Sequence, residues 1–86
     1  MNVEDAAEVI GSAFSPLRCV AEPYDYNSKV RFRVFDDNDN SLLRMETLTR
    51  SQVADSRRLE SIIAHARGNL TNRGYELAPW IFPIRT

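Results

Sequence analysis

The sequence predicts an α+β fold: a helix, a three-stranded antiparallel meander and a long helix, forming an α-β-β-β-α two-layer sandwich that ends in an extended apolar C-terminal tail. Three observations predict it. Apolar residues recur at helical spacing near both ends of the chain, three alternating stretches lie between them, and the turns joining those stretches are too short for parallel crossovers. With 86 residues there is room for one compact domain. It is assigned to residues 1–76, with residues 77–86 as the tail.

The first helix is carried by Val3, Ala6, Ala7, Ile10 and Phe14, which fall on one stripe. Asn2 is a suitable N-cap, and Glu4 and Asp5 sit where the helix dipole favours negative charge. Ser15-Pro16 ends the helix, because the residue before proline avoids the α region. Leu17 to Glu22 alternates as a first strand, and Pro23 bars it from continuing in the middle of a sheet. Lys29 to Phe35 is the clearest strand, with Val30, Phe32 and Val34 facing one way and Lys29, Arg31 and Arg33 the other. Polar turns at 24–28 and 36–40 flank it. Ser41 to Leu48 alternates again, with Leu43 and Met45 opposite Arg44 and Glu46.

The second helix begins on a capping box, Thr49 with Gln52, and a hydrophobic staple, Leu48 with Val53. Leu59, Ile62, Ile63, Ala66 and Leu70 form its buried stripe. Gly74 stands where a left-handed C′ residue would close it, with Tyr75 reaching back to Leu70, and Gly68 is the weak point at which it could stop or bend. Small residues also align on both helices, Ala7 with Gly11 and Ser61 with Ala64, Gly68 and Thr71. They would let helices approach closely, by default within the fold.

Composition narrows the function classes. Apolar residues make up 43% and charged residues 27%, too apolar for a disordered chain. Eleven basic against 12 acidic residues give a net charge of -1, which argues against a general nucleic-acid coat or a polybasic membrane anchor. One cysteine excludes an intramolecular disulfide and a cysteine-only zinc site. No apolar run is long enough to cross a bilayer, and the acidic start is the reverse of a secretory signal, so a cytoplasmic location without membrane contact is expected.

Ala6-Ala7-Glu8-Val9-Ile10 leading to Ala13-Phe14-Ser15-Pro16-Leu17-Arg18-Cys19 resembles the opening of the small bacterial domain-of-unknown-function family 1652. Arg33-Val34-Phe35-Asp36, Asp55-Ser56-Arg57 and Ile62-Ile63-Ala64-His65-Ala66-Arg67 add to the resemblance, which covers most of residues 3–72 and leaves the tail outside. It implies one domain and carries no activity, substrate or cofactor. Members of the family often show Cys-x-Cys after the Phe-x-Pro turn. Here the second place is Ala21, which weakens a paired-thiol or metal reading.

Catalytic candidates are poor. Taken as a calcium loop from Asp36, the acidic turn lacks glycine at Ser41 and a bidentate glutamate at Thr47, so it reads as a solvated hairpin turn. Cys19 shares its face with Leu17 and Ala21, as a small core residue does. His65 has no carboxylate at helical spacing to orient it. No enzyme, cofactor or metal is expected. Two surfaces remain. Trp80, Ile81, Phe82 and Ile84 in the tail are too large and contiguous for incidental surface. Pro79 and Pro83 keep this segment extended, on the sheet of its own chain or, by preference, in a groove of a second copy. Arg18, Arg31, Arg33 and Arg44 share the open sheet face with Lys29 and with only Glu22 and Glu46, as a recognition face or as a solvated face of cross-strand Arg–Glu pairs. The expected function is that of a small accessory or regulatory protein acting through protein contacts and self-association, as a homodimer, by way of the tail. The alternative is a nucleic-acid-binding module using the arginine face.

Overall fold

Helix α1 (Val3–Ser12) starts at Asn2, whose side chain accepts a 2.7 Å hydrogen bond from the Asp5 amide. The computed structural model of the protein describes residues 1–83. Beyond α1 the chain forms β1 (Arg18–Tyr24), β2 (Lys29–Phe35), β3 (Ser41–Thr49), α2 (Arg50–Ala54) and α3 (Ser56–Asn72). The fold is the α+β arrangement expected from sequence, with one antiparallel sheet in the order β1-β2-β3.

The central strand β2 alternates as its sequence requires. Val30, Phe32 and Val34 are fully buried, and Arg31 and Arg33 are exposed on the other face. β1 runs on through Pro23 to Tyr24, past the expected end at Glu22. Proline is tolerated there because β1 has a neighbour on one side alone. The strict alternation expected of β3 is broken twice. Val30 pairs with Leu48 but Phe32 with Met45, so Glu46 and Thr47 together oppose Arg31. Both are exposed, while Met45 and Leu48 turn to the core. A second bulge at Leu42 separates the Val34–Leu43 and Phe35–Ser41 pairs.

The second helix departs most from expectation, because it is two helices. The capping box forms as expected, with Gln52 Oε1 accepting from the Thr49 amide at 2.8 Å, but it opens only the five-residue α2. Asp55 then leaves the helical region (φ -89°, ψ 105°), and its carboxylate accepts from the amides of Arg57 at 3.1 Å and Arg58 at 3.3 Å. Aspartate inside a helix competes for backbone amides in this way, and here it restarts the helix as the N-cap of α3. Asp55→Ala is expected to destabilise the protein by ~1 kcal/mol in denaturant titration and Asp55→Asn by much less. Equal losses would show that the carboxylate does not cap α3.

Gly68 does not interrupt α3. The helix ends at Gly74 (φ +97°), with the Gly74 amide on the Thr71 carbonyl at 3.0 Å and the Tyr75 amide on the Leu70 carbonyl at 3.1 Å, the reversal expected from sequence. α1 packs on β1 and β2, and α2 and α3 contact β3. Phe14 from the α1–β1 turn stacks on Phe32 with ring centres 5.7 Å apart. Among the described residues no helix covers the face of the sheet bearing Arg31 and Arg33, and both side chains are exposed.

Candidate interaction surfaces

The first surface is built where the tail returns over the helices. Tyr75, Leu77, Trp80 and Phe82 are partly buried against the core. The Ala78 amide donates to the Ser15 carbonyl at 2.8 Å, and Trp80 Nε1 donates to Ser12 Oγ at 3.4 Å. Arg67 of α3 acts as a clip. Its guanidinium donates to the carbonyls of Ala13 and, at 2.9 Å, Ala78, and lies 5.9 Å from the Trp80 ring centre. Trp80 in turn meets Phe82 edge to face at 5.9 Å.

This berth, on the C-terminal end of α1 and the side of α3, differs from the sheet berth expected from sequence. The residue that stacks on Trp80 is Arg67 and not an arginine of the sheet. The physical reason is the Ala13 carbonyl, which the end of α1 leaves without a helical partner and which Arg67 can reach together with the tail. Among the described residues of the tail, Ile81 alone of the large ones is turned outward, 89% exposed. Beside it an open groove of 380 Å³ is lined by Glu60, Ala64, Arg67, Trp80, Ile81 and Phe82. Ser61, Ala64, Gly68 and Thr71 are exposed along α3, so these small residues do not serve helix packing within the chain. Ile84 lies outside the described residues.

The second surface is the open face of the sheet. The register sets its residues in rows across the strands: Arg18 beside Phe35, then Val20, Arg33 and Arg44, then Glu22 beside Arg31, then Tyr24 beside Lys29. Most of these cations carry partners. Arg18 bonds Asp39 at 3.0 Å and lies 4.3 Å from the Phe35 ring centre. Arg31 bonds Glu22 at 2.7 Å and lies 5.0 Å from the Tyr24 ring centre. Lys29 bonds Asp25 at 3.3 Å, and Arg44 Nε bonds Glu46 at 3.1 Å. The Arg33 side chain has no ion-pair or hydrogen-bond partner among the described residues.

The remaining candidates are accounted for locally. The Asp36 carboxylate accepts from the amides of Asn38 at 2.8 Å and Asn40 at 2.9 Å, closing its own turn. The Asn40 amide holds this carboxyl below its ordinary value. Burial pushes the Cys19 thiol up to about 12, against the thiolate a nucleophile needs. His65 is exposed on α3. Among the described residues no cluster of three or more histidine, cysteine or acidic side chains could hold a metal ion, and no helix is long and apolar enough to cross a membrane.

Sequence reasoning missed Arg67 and Tyr26. An arginine at the edge of a helical stripe has no local signature as a clip, since both carbonyls it binds are set by tertiary packing. Tyr26 is 99% exposed at the β1–β2 turn in a left-handed conformation (φ 55°), as are its neighbours Asp25 and Asn27. The Asp and Asn flanking it suit that region, and the aromatic residue does not. No family model, curated protein or solved structure matches the chain.

Proposed function

We propose that the chain is a small accessory protein that acts through protein contacts, without catalysis of its own, and that its first contact is with a second copy through the tail. The observation that carries this reading is Ile81, 89% exposed between two anchored aromatic residues and beside the groove over Ala64. A protruding branched side chain and a recess floored by a small residue lie on one patch. A two-fold axis would put each Ile81 into the groove of the other copy, as a self-complementary interface requires. The exposed Ser61, Ala64 and Gly68 would allow two α3 helices to approach closely. The proposal keeps the chain in the cytoplasm and, by the resemblance of residues 3–72, in a family without assigned activity.

The acids that accompany Arg18, Arg31 and Arg44 weigh against the nucleic-acid reading, because they repel phosphates where a polyanion would bind. The test is sedimentation equilibrium over a dilution series. The wild-type chain is expected to pass from dimer to monomer, and Ile81→Lys to weaken the dimer by at least ~30-fold, the effect of about 2 kcal/mol at an interface hot spot. A wild-type monomer at every concentration overturns the self-association.

A further inference from the structure

We propose that the Val20–Arg33–Arg44 row on the open sheet face is a docking site for an acidic segment of a partner protein. It would take one carboxylate between the two guanidinium groups and a neighbouring apolar side chain on Val20 and Phe35. The site owes nothing to the described part of the tail, which lies on the helical side of the molecule.

The register puts Arg33 directly opposite Arg44, and like charges in that relation destabilise a sheet. The rows on either side differ. Arg31 faces Glu22, and Arg18 lies on Phe35 with Asp39 at its tip. The Val20–Arg33–Arg44 row contains no acid. Arg44 finds one by reaching along its own strand to Glu46 through Nε, and Arg33 finds none among the described residues. An anion held between them removes the repulsion at the moment of binding. A carboxylate matches the planar donor fork of a guanidinium.

The floor beside Arg33 is apolar. Val20, its partner on β1, is 43% exposed. Clefts of 250 Å³ and 270 Å³ flank Arg33, the first lined by Val20, Glu22, Arg31 and Phe35 and the second by Tyr24, Arg44, Glu46 and Thr47, with each glutamate bonded to an arginine of the face. Adjacent strands lie about 4.8 Å apart, so a carboxylate and an apolar side chain borne near each other on one segment reach both features. Charge favours such a segment over a nucleic acid. Glu22 and Glu46 stand one row away, where the next phosphates of a strand would fall. A single carboxylate meets less of this repulsion than a run of phosphates does, because Glu22 and Glu46 are already paired with Arg31 and Arg44.

The test pans a random peptide display library on the immobilised full chain and measures the selected peptides, made synthetically, by fluorescence anisotropy. The proposal expects enrichment of Asp or Glu beside a large apolar residue. It expects binding at least ~10-fold weaker for Arg33→Gln, the scale of one charge-assisted hydrogen bond. Arg33→Lys should fall between, Lys29→Gln and Ile81→Lys should bind within about twofold of wild type, and Arg33→Gln should unfold no lower than wild type, since it relieves the repulsion with Arg44. Selected peptides without excess acid, or equal binding by Arg33→Gln, overturn it. So does a uridylate oligomer that displaces the peptide at lower concentration, which would assign the face to nucleic acid instead.

Discussion

Phe32→Ala is expected to cost about 3–5 kcal/mol, the range for truncating a fully buried phenylalanine. Phe32 is in the middle of the central strand, has no exposed surface and stacks on Phe14 with ring planes 24° apart. It therefore ties the α1–β1 turn to the sheet, and the cavity left behind would be walled by β2, which cannot collapse without giving up its register. A chain of this length has roughly 4–13 kcal/mol of stability in total, at the usual value per residue. The loss should lower the thermal midpoint by about 12 °C or more, since each kcal/mol is worth ~4–8 °C in a domain of this size. Phe35→Ala is the internal control. Phe35 is on the same strand with its ring on the open face, half-buried under Arg18, and its removal should cost about 1 kcal/mol. Similar losses at both positions would mean that the sheet does not bury one face and expose the other.

Arg67→Ala should release the tail and destabilise the domain by about 1.5–3 kcal/mol, the scale of hydrogen bonds to a charged donor. The substitution removes donors to the carbonyls of Ala13 and Ala78 and the cation over Trp80. Ala13 is fully buried, so its carbonyl would have to find water or stay unpaired. Trp80 is the only tryptophan, and its emission reports this segment alone. It should shift to the red in Arg67→Ala and stay closer to wild type in Arg67→Lys, which keeps the charge and N–H donors but lacks the planar fork that reaches both carbonyls. Unchanged emission in the alanine variant would show that Trp80 and Phe82 hold the tail without the clip.

Legibility followed the range of the interactions involved. Asn2, the Thr49–Gln52 box and the Gly74–Tyr75 reversal each act within a few residues, and each was readable. β2 was readable because its two faces differ in polarity at every step. The bulges in β3 were not, because they answer to the register of a neighbouring strand and leave Leu42 and Thr47 chemically ordinary. Asp55 was readable in principle, as an aspartate followed by a helical stripe, but the stronger signal at Thr49 six residues earlier concealed it. The tail was recognisable as apolar and extended. Its berth was not, because that depends on Arg67 meeting a carbonyl from the far end of the first helix. On the open sheet face the set of arginines could be read from alternation. The isolation of Arg33 could not, since it follows from which acids the register brings alongside its neighbours.

The two bulges and Pro23 have a consequence for how the sheet meets other chains. An open antiparallel sheet presents two margins, and each is a template on which a foreign strand can hydrogen-bond and start a fibril. On one margin Pro23 has no N–H to offer. On the other, the bulges break the even spacing that an added strand would need, and nearby carbonyls are already engaged. Leu42 accepts from Arg73 at 2.5 Å, and Glu46 accepts from the Tyr24 hydroxyl at 2.6 Å. Growth by strand addition is thereby obstructed at both margins of the sheet, which leaves its arginine-bearing face, and not its edges, to meet other chains.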